Sequence, residues 1–513
     1  MINLGEYQSK TTGDGLSLKG SFEQKCGIME KIKDTKSLCP ECLRVIDAQL
    51  LRDDKDQVIM RKECPVHGTF EDIYWSDYQM YLKAKRFERI GDGLANPRTK
   101  RTEKGCPFDC GICNEHKSHT VLAIIDVTNS CNLKCPVCFA NAEVSGYLYQ
   151  PTTDEIKRII DNFRSNQPVK PPGLQFSGGE PTIRDDLPEL IAYAKNAGFH
   201  HIEVNTNGIR LANSIEYCKR LVDAGACAIY LQFDGVTREI YLKTRGIDLL
   251  DMKLKVIENC RKIGFDAVIL VPTVIKGIND HQLGDIIKFG IANADVVRCI
   301  NFQPVSITGR IDYEKRKEMR ITIPECLKLI EEQTDGQIRA EDFYPVPFVV
   351  PLSQAVGALH NHRYVEFTAH PHCGMATYVF VEGDKIVPIT RYADVEKFMS
   401  IMEEVYRLAK DGHKIKAKMK MLSALKYVKW GLLRKLLLPI LRTGSYRSLA
   451  DLHYRMVMIG MMHFMDLYNF DLERAQRCTI HYGLPDGRIV PFCTMNSIHR
   501  AEVEKIFSIS LKR

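Results

Sequence analysis

The stretch VLAIIDVTNSCNLKCPVC, residues 121–138, decides how the rest of the chain is read. A short run of Val, Leu and Ile leads directly into Cys131, Cys135 and Cys138, spaced C-x3-C-x2-C. Such a run suits a strand buried on both faces. Three thiolates within eight residues can hold three irons of a 4Fe–4S cube, leaving the fourth iron for another ligand.

Five similar runs follow: GLQFSGG (173–179), HIEVNTNG (201–208), AIYLQFDG (228–235), AVILVPTV (267–274) and CINFQPVS (299–306). Amphipathic segments separate them. Thr152 and Glu155 predict a capping box ahead of an apolar stripe, Ile156, Ile159, Ile160 and Phe163. Gly198 and Gly225 stand as stops after the next two helices. Six βα units in succession predict an α/β fold with a closed or partial (β/α)6 parallel barrel. Chemistry in such barrels collects at the C-terminal ends of the strands. The three cysteines follow the first strand, and SGGEPT (177–182), with Gly178, Gly179 and Glu180, ends the second. Asn207 ends the third, and Gln232 and Asp234 end the fourth.

The 513 residues allow several domains, with 45% apolar and 26% charged side chains. That balance excludes a fibrous or wholly disordered chain. A formal charge of +7 over this length does not mark a nucleic-acid binder, so no nucleic-acid partner is expected. The 18 cysteines are the unusual feature. No secretory signal pattern opens the chain, so metal ligation is favoured over disulfides and a cytoplasmic location is expected. No apolar run is long enough to span a bilayer.

Cys39 and Cys42 (CPEC), then Cys64 and His67 (CPVH), give two knuckles able to close a tetrahedral site of three thiolates and one imidazole. That donor set suits mononuclear Zn, or Fe as in rubredoxin. Cys106, Cys110 and Cys113 repeat the C-x3-C-x2-C spacing in CPFDCGIC.

CNLKCPVC after a first barrel strand, with SGGEPT after the second, resembles the radical S-adenosylmethionine (SAM) enzymes. The resemblance implies that Cys131, Cys135 and Cys138 hold a 4Fe–4S cluster whose fourth iron SAM chelates. By the same resemblance Phe139 flanks the adenine, and Gly178, Gly179 and Glu180 meet the SAM amino group. Asn207, Gln232 and Asp234 are weaker candidates for ribose or carboxylate contacts. Reductive cleavage of SAM then yields a 5′-deoxyadenosyl radical.

The extra cysteine sets, with HPHCGMATYVF and PFCTMN near the end, resemble the archaeal tetraether lipid synthase family. That family joins the terminal methyl carbons of isoprenoid lipid tails. It implies a total of three 4Fe–4S clusters, the auxiliary ones on Cys106, Cys110, Cys113 and on Cys373, Cys478, Cys493; their fourth ligands are left open among His116, His119, His370, His372, an isolated cysteine or an open iron. It also implies an archaeal diether lipid substrate and an electron donor such as a ferredoxin or flavodoxin. The alternative expectation is a radical SAM methylase of a pterin or other small molecule.

A lipid substrate is also suggested by residues 414–442, which carry nine Lys or Arg and no acid, interleaved with apolar residues and Trp430. Such a basic amphipathic helix suits a headgroup interface, so peripheral membrane contact is expected. The apolar, Met-rich Met456–Met465 suits an irregular alkyl chain. The expected organisation is an extension at 1–35, a rubredoxin-like module at 36–85, an auxiliary-cluster segment at 86–120, the barrel at 121–320 and a mostly helical auxiliary-cluster and lipid-contacting region at 321–513.

Overall fold

Four strands pair antiparallel in chain order: β1 (Glu30–Leu38), β2 (Val45–Arg52), β3 (Val58–Cys64) and β4 (Gly68–Trp75). Their alternation sends Leu50, Val58, Met60 and Trp75 into the core. The β1–β2 and β3–β4 turns lie at the same end of this ribbon, and they carry the two Cys knuckles. The computed structural model describes residues 29–97, 99, 103–143, 145–383, 385–429 and 456–510.

The barrel strands are β5 (Leu122–Asp126), β7 (Gly173–Ser177), β8 (His201–Thr206), β9 (Ala228–Gln232), β10 (Val268–Val271) and β12 (Val297–Pro304). They run parallel, each beside the next. Two short strands intervene, β6 (Tyr147–Tyr149) and β11 (Thr273–Val274). The capping box forms: Thr152 Oγ1 accepts from Glu155 N and starts the helix Thr153–Arg164. Gly225, at φ +119°, ends the helix Ile215–Ala224 as anticipated.

Strand alternation divides the barrel into two chemistries. Leu174, Phe176, Ile202, Val204, Ile229, Leu231, Ile300 and Phe302 pack in one core with helix residues Ile156, Leu190, Leu221 and Val256. Full burial of such a side chain stabilises by about 1.5–3 kcal/mol. In β7, β8, β9 and β12 the intervening residues that face the lumen include a polar set. Gln175 donates to Glu203 at 2.6 Å, and Asn205 donates to the Ser177 hydroxyl at 3.2 Å. Asn301 and Gln303 donate to the Tyr230 hydroxyl at 2.6 and 2.9 Å.

The C-terminal third adds the helices Val350–His360, Val395–Lys410 and Lys414–Ser423, which share a core around Ala355, Met402, Val405 and Ala417. It also adds strands β13 (Tyr344–Pro345), β14 (Gly374–Glu382), β15 (Lys385–Pro388), β16 (Met456–Met462), β17 (Ile480–Gly483) and β18 (Ile489–Pro491). β16 pairs parallel with β12, and β17 pairs parallel with β5. Consecutive strands therefore sit at opposite edges of the open barrel, and residues 463–479 cross the gap between them. The crossing is pinned near the end of β12 by Ile307 N donating to Asp466 at 2.8 Å. It is pinned ahead of β5 by Lys117 N donating to Gln476 O at 2.7 Å.

Two expectations for this region are corrected. Met456–Met462 is not a loose apolar surface for an alkyl chain: it is β16, and Val457, Ile459 and Met461 lie in the main core. The basic stretch is not one continuous helix from Lys414: the helix stops at Ser423, and a 3-10 turn, Ala424–Tyr427, follows. The part of that stretch from 430 to 442 lies outside the described residues. No described helix is long and apolar enough to cross a membrane.

Candidate functional site

Loop 127–138 leaves β5 and lies against the SGGE segment after β7. Gly179 N donates to Thr128 O at 2.7 Å, and Glu180 N donates to Ser130 O at 2.9 Å. The approach is too close for side chains. A Cβ on Gly178 would lie 2.1 Å from Thr128 O, and one on Gly179 would lie 2.2 Å from Ser130 O. Gly178 also has φ +130°, which L residues rarely adopt. The glycine pair thus seats the cysteine loop.

Glu180 is buried, and burial raises its pKa against the hydrogen bonds it accepts. Oε1 accepts from Thr182 N at 3.1 Å, Thr182 Oγ1 at 2.5 Å and Thr206 Oγ1 at 2.7 Å. Among the described residues Oε2 accepts only from Asn207 N, at 2.7 Å, and so keeps an acceptor direction. Asn207 in turn donates to Asn132 Oδ1 at 2.6 Å, beside Cys131.

The far side of the cysteine loop is held by two arginines that the sequence reading missed. Arg310 exchanges backbone hydrogen bonds with Cys138 and donates from Nε to Cys135 O at 2.5 Å. Arg245 donates to Val137 O at 3.1 Å. Asp234 is fully buried and accepts from Arg245 Nε at 2.6 Å, Arg245 Nη2 at 2.8 Å and Thr273 N at 3.1 Å. Its carboxylate is filled by the protein, so Asp234 aims Arg245 rather than presenting free oxygens. Gln232 bridges Asp234 and Lys253: its amide contacts Asp234, and its Oε1 accepts from Lys253 Nζ at 2.9 Å. The Phe139 ring lies 6.0 Å from that of Phe492.

Burial pushes the Cys131 thiol up to about 12 and also raises Cys135. Left alone, both stay neutral. Iron ligation takes the thiolate, so a metal is what would draw the proton from Cys131 and Cys135.

Cys106, Cys110 and Cys113 line a cavity with Asp109, His116 and Gln476. Burial raises Cys106 and pushes Cys110 up to about 12. Cys373, Cys478 and Cys493, far apart in the chain, lie within electrostatic reach of one another. Burial pushes Cys478 up to about 12 and raises Cys493 further. Among the anticipated fourth ligands, His116 Nε2 lies 2.8 Å from Cys478 O and His372 Nε2 lies 3.1 Å from Tyr81 O. His119 pairs with Asp92 at 3.1 Å, and His370 Nδ1 accepts from His372 N at 3.3 Å.

In the ribbon, the ligand atoms of Cys39, Cys42, Cys64 and His67 all lie within 4.8 Å of one another. His67 Nδ1 is 3.6 Å from Cys39 Sγ and 3.5 Å from Cys64 Sγ. The Val66 N–H, with the His67 N–H, the His67 ring and Cys39 beside it, lowers the Cys64 thiol to about 6. Three thiols and an imidazole at this separation fit one tetrahedral ion.

Residues 125–290 match the radical SAM superfamily model, and residues 31–76 match a model described as the HMPTM N-terminal zinc ribbon domain. The 7,8-dihydro-6-hydroxymethylpterin dimethyltransferase of Methanocaldococcus jannaschii is 51% identical over 494 residues, spanning 94% of this chain and 96% of that relative. The chain belongs to the radical SAM superfamily, in the family of that protein. More distant is the Fe-coproporphyrin III synthase of Methanosarcina barkeri, 36% identical over 29% of this chain and 36% of its own. Among solved structures, Streptococcus suis SuiB bound to its precursor peptide is 19% identical, with a TM-score of 0.34 over 43% of this chain and 46% of that one.

The whole-length match overturns the lipid synthase expectation. The membrane-surface expectation rested on the basic stretch 414–442, of which Lys414–Ser423 is the described α-helix.

Proposed function

We propose that this protein is a radical SAM methylase acting on a dihydropterin. The observation that carries the reading is 51% identity across 94% of the chain with a protein named for dimethylating 7,8-dihydro-6-hydroxymethylpterin. The lumen chemistry supports it. A pterin ring edge alternates hydrogen-bond donors and acceptors, and the lumen offers both. Tyr230 Oη accepts from Asn301 and Gln303, which leaves its own proton to donate.

Cys131, Cys135 and Cys138 would hold the radical cluster. Phe139, Gly178, Gly179, Glu180, Asn207 and Gln232 are proposed to contact SAM, with Glu180 Oε2 as the open acceptor for its ammonium. Once reduced by an external electron donor, the cluster with SAM supplies a carbon-centred radical able to take hydrogen from unactivated carbon. Arg310 and Arg245 keep the cysteine loop seated, and the apolar outer layer of the barrel keeps bulk water from the lumen. Cys106, Cys110 and Cys113 are proposed to hold one auxiliary 4Fe–4S cluster, and Cys373, Cys478 and Cys493 another. The ribbon is proposed to hold Zn or Fe. A small ferredoxin or flavodoxin is the proposed electron donor.

The test is anaerobic incubation of the iron-reconstituted protein with reductant, 7,8-dihydro-6-hydroxymethylpterin and excess SAM, with and without a reduced-pterin one-carbon donor. Cleavage to 5′-deoxyadenosine leaves the methyl of that SAM on methionine, so the added carbon must come from a further SAM or from the donor. The expected products are 5′-deoxyadenosine and singly and doubly methylated pterin, read by mass spectrometry. Formation of 5′-deoxyadenosine with the pterin recovered unchanged overturns the reading.

A further inference from the structure

Five arginines are buried among the described residues: Arg184, Arg320, Arg474, Arg477 and Arg500. A buried guanidinium is costly unless an anion compensates it. Four of them meet carboxylates. Arg184 pairs with Asp186, Arg320 with Asp466 and Asp72, Arg477 with Glu88, and Arg500 with Asp126 and Glu504.

Arg474 is the exception. At 1% exposure it has no carboxylate within 4.0 Å among the described residues. One nitrogen donates to His463 O at 2.8 Å, its guanidinium sits 5.5 Å from the Tyr74 ring centre, and Nε has no partner. The two acids nearest in sequence are already taken: the adjacent Glu473 pairs with Lys33 at 2.7 Å, and Asp471 accepts from Tyr74 Oη at 3.0 Å and from Thr35 Oγ1 at 2.9 Å. The groups within electrostatic reach of Arg474 are Cys373, Tyr74 and Cys493, and burial raises the Tyr74 phenol and the Cys493 thiol, which keeps both neutral. Arg474 lies on the segment that crosses the open side of the barrel, the same segment that brings Cys478 up to the other two cysteines.

We propose that Arg474 is the buried counter-charge of an anionic iron–sulfur centre on Cys373, Cys478 and Cys493, placed there to set its reduction potential. The proposal rests on the reading of those cysteines as an auxiliary cluster. Neutral thiols would leave the guanidinium uncompensated, whereas an iron–thiolate centre carries net negative charge. Reduction adds a further negative charge, so an adjacent cation favours the reduced form and raises the potential.

The test is an anaerobic redox titration followed by electron paramagnetic resonance, with iron counted per chain, on the wild type, R474Q, R474K and C493A. C493A is expected to lose one cluster signal, which identifies the centre. R474Q is expected to keep that signal at a more negative midpoint, or to lose that cluster's iron, while R474K stays close to wild type. If C493A keeps every cluster signal, the cluster reading itself is overturned. If C493A loses the signal but R474Q titrates like the wild type, or R474Q and R474K are impaired alike, the cluster stands and the counter-charge role fails.

Discussion

Arg245 grips Asp234 by two hydrogen bonds, Nε to Oδ2 at 2.6 Å and Nη2 to Oδ1 at 2.8 Å, while its third nitrogen holds Val137 O inside the cysteine loop. A charge pair at the end of β9 thereby sets the position of a loop that begins after β5. Removing one partner of a buried ion pair leaves the other uncompensated and costs about 3–5 kcal/mol. D234A should lose stability of that order in denaturant titrations and should also lose SAM cleavage. A loss below about 1 kcal/mol would show that Arg245 finds another partner.

The glycine pair can be tested separately from the cysteines. In G179A the new methyl would lie 2.2 Å from Ser130 O, so the cysteine loop must shift. SAM cleavage to 5′-deoxyadenosine should fall at least tenfold, while iron at the auxiliary sites stays bound. Wild-type cleavage in G179A would refute the seating role.

Lys253 is buried, and burial lowers its pKa from 10.5 to about 7. Its ammonium donates to Asn207 O at 2.5 Å and to Gln232. Below about pH 7 both folded and unfolded chains hold the proton, and the folded chain bears the desolvation cost. Between about 7 and 10.5 only the unfolded chain binds it, so this residue makes stability rise with pH by about 1.4 kcal/mol per unit. K253M should remove that contribution, read as a flatter stability profile than wild type in urea titrations across this window. Parallel profiles would count against it.

The lumen predicts separable kinetics. N301A removes one of the two donors to Tyr230 Oη and, on the pterin reading, a substrate contact. A lost hydrogen bond of about 1.4 kcal/mol would raise the pterin KM about tenfold. Cleavage of SAM without pterin should be unchanged. An effect on SAM cleavage alone would move Asn301 out of the substrate site.

The ribbon ion should be removable without loss of the barrel. H67A or C42S should lower bound metal by one ion per chain and loosen amide protection over residues 30–75, with barrel protection retained. A red, rubredoxin-like absorbance marks Fe, and a colourless ion marks Zn. Full metal retention in both variants would exclude these ligands.

Much of this was readable along the chain because the determining contacts are local. The knuckles at Cys39–Cys42 and Cys64–His67 join neighbouring turns, and the C-x3-C-x2-C loop follows its own strand. The barrel's period follows from strand burial on both faces. The glycine pair was legible as a motif, though not as a packing requirement. The lipid expectation rested on cysteine spacing and on short end motifs, whereas the whole-length match is to a protein named as a pterin dimethyltransferase. Gln175, Tyr230 and Asn301 become one polar lining only after strand alternation and barrel closure place them together.

The sequence by itself determined the metal knuckle, the radical cluster loop and the run of βα units, since each is set by spacing within a few turns of chain. Only the tertiary structure decided that β16 and β17 take opposite edges of the barrel. That path carries residues 463–479 across the opening and brings Cys373, Cys478 and Cys493 around Arg474. Partner choice for a buried charge depends on which distant segments pack there, and no local spacing encodes that.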